Sequence, residues 1–286
     1  MPWYELESAT DPRLDELAKQ YNLHPLHIED CRSDNESVKV DTAPHYTFAV
    51  FKPVHLDGKP TFSTIDIFAG KNFFITVAEP SCPSSAEALA RARRDGSDEN
   101  PGKLLYLILD TIVDLYFPAI DHFDDRIDGL EDAVIGSPSP EVLQNVFALK
   151  RELIDLRRVL VNTRDASLHL QRDPGTIIDA EHQLYVRDIY DHIARLLDSV
   201  ETQRDLLNNT LDIYLSSVAN RTNEVMKVLT VVGTIALPVL AISSIYGMNL
   251  KGLPFETSPH GALYVGGLTI LSTFLLLTIL RKLKWF

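Results

Sequence analysis

Basic charge and thiols are scarce in this sequence. Its 286 residues hold 27 Lys and Arg against 40 Asp and Glu, a formal net charge of −13. So acidic a chain repels phosphate backbones and attracts cations, which excludes nucleic acid as a partner. Only two cysteines occur, Cys31 and Cys82, far apart and in polar surroundings. They read as reduced thiols and not as a disulfide framework. The opening Met1-Pro2-Trp3-Tyr4-Glu5-Leu6-Glu7 has neither a basic n-region nor an apolar h-region, so no secretory leader is expected. There is no phosphate-cradling P-loop, no nucleophile elbow and no HExxH zinc motif. An enzyme, or an organic cofactor, is therefore not expected.

What is present is uneven. Beyond residue 222 lie only five basic residues (Lys227, Lys251, Arg281, Lys282, Lys284) and two acidic ones (Glu224, Glu256). Residues 1–222 thus carry 22 basic against 38 acidic side chains, a net of −16. The C-terminal part holds two charge-free apolar stretches, Val228–Tyr246 and Ala262–Leu280. Each matches the ~20 helical residues that cross a ~30 Å hydrocarbon core. Arg221 and Lys227 precede the first stretch, and Arg281, Lys282 and Lys284 follow the second. Basic flanks stay on the cytoplasmic side, so both termini are expected inside and the loop 247–261 outside.

The first hundred residues read as mixed α/β. Expected strands are Ser37–Val40, His45–Phe51, Thr61–Phe68 and Asn72–Val77, with a hairpin turn at Ala69-Gly70-Lys71 and a short helix at Glu87–Arg94. Helical periodicity then takes over. Lys103–Ile135 and Glu141–Gln171 are separated by the breaker Gly136-Ser137-Pro138-Ser139-Pro140. Thr176 to Val232 contains neither Gly nor Pro. At ~1.5 Å per residue it predicts about 85 Å of helix that continues into the first apolar stretch. The expected organisation is a cytoplasmic α/β domain (1–100), a helical stalk (101–227), a first transmembrane helix (228–246), an external loop (247–261), a second transmembrane helix (262–280) and a basic tail (281–286).

Two groups of side chains invite a metal reading. Asp121, Asp124, Asp125, Asp128, Glu131 and Asp132 share most of one helical face, as do Asp188 and Asp191 further on. Such a face is either solvated or holds hard divalent cations through oxygen ligands. His24 and His27 lie close to Glu29, Asp30 and Cys31, but Pro25 between them argues against a helical pairing and hence against a transition-metal site.

The segment Asn223-Glu224-Val225-Met226-Lys227, the apolar stretch, Tyr246-Gly247-Met248-Asn249, the second stretch and Arg281-Lys282-Leu283-Lys284-Trp285-Phe286 resemble, in that order, the CorA family of divalent-cation transporters. Arg187–His192 and His24-Pro25-Leu26 with Ile28-Glu29-Asp30 extend the resemblance upstream. It implies an α+β membrane protein, a funnel-shaped homopentamer whose long stalk helices continue into pore-lining first spans. It implies influx of Mg2+, with Co2+ and Ni2+ as further substrates, across the cytoplasmic membrane. Tyr246, Gly247, Met248 and Asn249 would form the outer mouth, where a ring of Asn249 carboxamides selects the hydrated ion. Asn223, Met226, Leu229, Gly233, Leu237 and Leu240 would face the pore. Asp188, with Asp191, would hold regulatory Mg2+.

Two departures from the family pattern stand out. Lys251 and Phe255 occupy positions near the signature where acidic residues are usual, and Leu240 stands where a Thr is often found. Two rival readings exist: a proton-coupled Zn2+ transporter of the same superfamily, and a membrane-anchored acidic scaffold. The zinc branch tends to carry Ile at the Met248 position, so Met248 favours Mg2+.

Overall fold

The computed structural model describes residues 1–33, 37–79, 82–95, 100–173, 177–178, 180–248, 252–255 and 258–283. The chain divides into two compact units, Met1–Asp212 and Ile213–Phe286.

The first unit is built on a five-stranded sheet formed by β1 (Trp3–Leu6), β2 (Lys39–Thr42), β3 (Tyr46–Phe51), β6 (Ile65–Gly70) and β7 (Phe73–Ala78). Their order is β1-β7-β6-β3-β2, with β1 parallel to β7 and the other pairs antiparallel. All six residues of β3, β6 and β7 are buried, so both faces of the sheet are covered. One face (Phe48, Val50, Phe68, Phe73, Ile75) packs with Leu14 and Leu17 of α1 (Pro12–Gln20) and Ile28 of α2 (Pro25–Cys31). The other (Ala49, Phe51, Ile65, Ile67, Phe74) packs on α3 (Pro83–Asp95), α4 (Pro101–Gly136) and α5 (Pro140–Arg172). Strand alternation thus feeds two cores, and a three-layer arrangement follows.

Helix starts follow one local rule. Asp11, His24, Asn100 and Ser139 cap α1, α2, α4 and α5, and each is followed by Pro at the first helical position. The side chain satisfies a free N–H, and proline gives up a donor that would have had no partner. α6 (Ala180–Gly247) is one helix of 68 residues that contributes to both units, and α7 (Gly261–Lys282) completes the second.

Several local expectations need correction. The strand expected at Thr61–Phe68 is two: β5 (Lys59–Phe62), hairpinned to β4 (Val54–Asp57) through Gly58 at φ +72°, and β6 in the main sheet. The turn after β6 lies one residue later, at Lys71-Asn72, because Gly70 still pairs with Phe73. β1, α1 and α2 were not anticipated. Pro25 opens α2 and leaves His24 at the cap, so the two histidines are not paired within one helix.

Candidate functional site: the apolar helices and the acidic cluster

The most apolar 18-residue windows of α6 and α7 have mean hydropathies of 2.2 and 2.1, and 0% and 6% of their residues are buried. A long helix in a soluble core would be mostly covered. These two are long and apolar enough to cross a membrane, and an area this large demands lipid or other protein as its neighbour. Within the second unit, half-burial recurs at 231, 234, 235, 236, 238, 242 and 246 on α6, and at 261, 265, 269, 272, 273, 276 and 277 on α7. The spacing is that of one stripe per helix.

The residues expected along an ion pathway avoid that stripe. Asn223, Met226, Leu229, Gly233, Leu237 and Leu240 are all exposed in the single chain. Leu229, Leu237 and Leu240 are 62–65% exposed, which leaves a row of large apolar side chains with no cover from their own chain. α6 ends at the signature: the Met248 N–H donates to the carbonyls of Ser244 (3.1 Å) and Ile245 (3.4 Å). The Tyr246 hydroxyl donates to the Pro254 carbonyl at 3.0 Å. Asn249 lies outside the described residues.

In the first unit, Asp188 is open to solvent, with a side chain 63% exposed and its carboxylate 3.6 Å from His192 Nε2. Asp191, one turn along, is also exposed. The described residues contain no cluster of three or more His, Cys, Asp or Glu placed to hold a metal. Among the described residues, Asp188 and Asp191 therefore offer only part of an oxygen-ligand set. The α4 carboxylates behave as a solvated face that also bonds to α6: Asp124 accepts from Gln203 Nε2 at 2.8 Å and Glu131 from Thr210 Oγ1 at 3.2 Å. His24 caps α2, whereas His27 shares a 2.8 Å hydrogen bond with the Tyr46 hydroxyl and stacks on Phe48 with ring centroids 4.7 Å apart. Both histidines serve structure.

A charged cluster not anticipated from the sequence joins α3 to α4. Arg91 donates to Asp110 and to Asp114, each at 2.8 Å. Burial raises the Asp110 carboxyl above its ordinary range, the neighbouring Asp114 raises it further, and Arg91 opposes both. Burial, with the Asp110 charge second, pushes the nearby Tyr106 phenol up to about 12, and Asp188 is among the charges acting on it. The sequence signal was the i, i+4 pair Asp110/Asp114 inside the otherwise uncharged first half of α4, residues 104–120.

Comparison with known proteins agrees with this architecture. A family model described as CorA-like Mg2+ transporter protein matches residues 1–282. The cobalt/magnesium transport protein CorA of Thermotoga maritima is 34% identical over 271 residues, covering 93% of this chain and 77% of that one. The complete structure of the CorA magnesium transporter from Methanocaldococcus jannaschii superposes with a TM-score of 0.85 at 24% identity, over 99% of this chain and 91% of that one. The ZntB cytoplasmic domain from Vibrio parahaemolyticus shares the fold at greater distance, with a TM-score of 0.62 and 12% identity over 76% of this chain and 88% of that one. An acidic α/β body, a helix of 68 residues that ends at Tyr246-Gly247-Met248, and a second apolar helix are thus found together with a match over nearly the whole sequence: the chain belongs to the family of CorA-like Mg2+ transporter proteins.

Proposed function

We propose that this protein carries Mg2+, with Co2+ and Ni2+ as further substrates, into the cell through a pore formed by several copies of α6. The observation that carries this reading is the exposed stripe Met226–Leu229–Gly233–Leu237–Leu240 on a helix that ends at the Tyr246–Met248 signature. One such helix cannot enclose a path for ions, so copies must surround it; the family resemblance implies five. In this reading residues 228–246 and 262–280 span the cytoplasmic membrane, 247–261 face outward, and both termini lie inside.

Mg2+ dehydrates reluctantly and is bound with several of its waters retained. A ring of Asn249 carboxamides accepts hydrogen bonds from those waters without stripping them, and a neutral ring also releases the ion readily. Below it, rings of Leu240, Leu237, Leu229 and Met226 form an apolar constriction that blocks ions by dewetting until the helices separate. Asn223 and Gly233 complete the lining. No ATP-binding loop is required. A membrane potential of about 100 mV is worth about 2.3 kcal/mol per charge, hence about 4.6 kcal/mol for each inward Mg2+.

Regulatory Mg2+ fits an exposed carboxylate pair better than a closed site. Asp188 and Asp191 would hold it together with carboxylates of a second copy. There it offsets repulsion between bodies that each carry about −16. Loss of internal Mg2+ restores that repulsion, and because Asp188 lies on the same helix as the stripe, the pore opens.

The test is uptake by proteoliposomes of Mg2+, Co2+, Ni2+ and Zn2+, with and without a pH gradient. Mg2+ flux that disappears in Asn249→Ala supports the proposal. Zn2+ flux that depends on the proton gradient would replace it with the zinc reading, and absence of any flux would leave a scaffold.

A further inference from the structure

The stretch after the signature is tied to both apolar helices by adjacent residues. Pro254 accepts a 3.0 Å hydrogen bond from Tyr246 in the last turn of α6. Phe255 next to it is bound to α7 twice. Its ring packs against Tyr264 with centroids 5.0 Å apart and planes 31° from parallel. Its carbonyl oxygen lies so close to Gly261 that any Cβ there would collide with it. The same oxygen accepts from the Ser258 N–H at 3.2 Å, and Gly261 N–H donates to the Ser258 carbonyl at 3.0 Å. Phe255 adopts φ +67°, in the left-handed region that non-glycine side chains rarely occupy. A backbone state of that kind persists only where its surroundings enforce it, and here the enforcing contacts are Tyr264, Ser258 and Gly261.

We propose that Phe255 is a positioning residue for ion selection: with Tyr246, Gly261 and Tyr264 it straps the ends of α6 and α7 together. The strap thereby ties together the residues that flank Asn249 in the sequence, Tyr246 on one side and Pro254 and Phe255 on the other. This rests on the reading of Asn249 as the outer selecting ring. Tying a short segment at both ends lowers the conformational entropy that is lost when an ion is bound there. A mouth with Lys251 and Phe255 and little acidic charge gathers cations poorly, and preorganisation is the remaining means of holding a hydrated ion. The strap acts on ion affinity and ion choice, not on the constriction further in.

Full-length Phe255→Ala, Phe255→Trp, Gly261→Ala and Asn249→Ala proteins, reconstituted and checked for assembly and Tm, separate the possibilities. Phe255→Ala is expected to raise the half-saturating Mg2+ concentration by about fivefold or more and to weaken discrimination against Ca2+, with maximal flux within about twofold of the parent. Gly261→Ala should do the same because its Cβ displaces the Phe255 carbonyl, whereas Phe255→Trp, which keeps a ring for Tyr264, should recover near-parental values. Unchanged half-saturation and ion preference in Phe255→Ala, even with a lowered Tm, would overturn the strap. So would equal impairment in Phe255→Trp. If Asn249→Ala retains full Mg2+ flux, the mouth assignment itself fails. If Asn249→Ala is inactive while Phe255→Ala is normal, only the strap fails.

Discussion

Replacing Arg91 by Met removes the cation that holds two carboxylates on α4. The Asp110 side chain is 10% exposed and that of Arg91 31%, whereas Asp114 is 49% exposed. Exposed ion pairs contribute about 0–1 kcal/mol, and a buried carboxylate left without its partner costs about 3–5 kcal/mol. The Arg91–Asp110 contact lies between these limits and nearer the buried one, so Arg91→Met should cost about 3 kcal/mol. At about 2–4 °C per kcal/mol for chains of this size, Tm should fall by roughly 6–12 °C. The assay is thermal unfolding of the detergent-solubilised full-length protein, in the parent and in an Asp110→Asn background. With Asn at 110 no buried charge remains, and the loss on removing Arg91 should shrink to about 1 kcal/mol, the worth of the exposed Asp114 pair. pH provides a second axis. The raised Asp110 pKa means that the folded chain binds its proton more readily than the unfolded chain does. Stability is therefore gained as pH falls toward the ordinary carboxylate value of ~3.9. Without Arg91 that gain is larger, so the deficit should narrow between pH 7 and pH 5. Equal losses in both backgrounds, or a deficit that does not change with pH, would refute the assignment of Arg91 as the partner of a buried charge.

Three further outcomes are expected. Leu237→Asn should wet the apolar constriction and raise Mg2+ leak into proteoliposomes severalfold when the inner face is saturated with Mg2+, with leak measured by a trapped fluorescent indicator. Asp188→Asn should raise the Mg2+ concentration that half-protects the cytoplasmic body from protease by about tenfold, ~1.4 kcal/mol of binding; unchanged protection would remove Asp188 from regulation. His27, whose pKa burial lowers against the opposing pull of Asp41, favours the neutral ring in the folded state. Its contribution is present above the unfolded value of ~6.5 and lost as pH falls below it. His27→Gln should therefore lose less Tm than the parent between pH 7 and pH 5.

The long helices and the apolar stretches were legible because their signals are local and repeated: helical spacing, charge-free runs, and breakers such as Gly136–Pro140. Signals that span a single turn were overlooked. Asp11-Pro12 and His24-Pro25 are cap-and-proline starts of α1 and α2, because proline ends a helix internally and begins one at its first position. β1 was not anticipated because a short parallel edge strand derives its identity from β7, some seventy residues away. The Arg91–Asp110 pair was equally invisible, since it depends on α3 lying against α4.

By itself the sequence determined that this protein is acidic, has two apolar helices of spanning length and ends the first of them at Tyr246-Gly247-Met248-Asn249. Those are properties of consecutive residues, set by length, charge and helical period. Only the tertiary structure decided which surfaces remain uncovered. It half-covers one stripe of α6 and leaves Met226, Leu229, Gly233, Leu237 and Leu240 exposed. It turns Asp124 and Glu131 of α4 toward α6 contacts, and it folds Pro254 and Phe255 back onto both helix ends. Exposure is a relation between distant segments, and a pattern along one segment cannot express it.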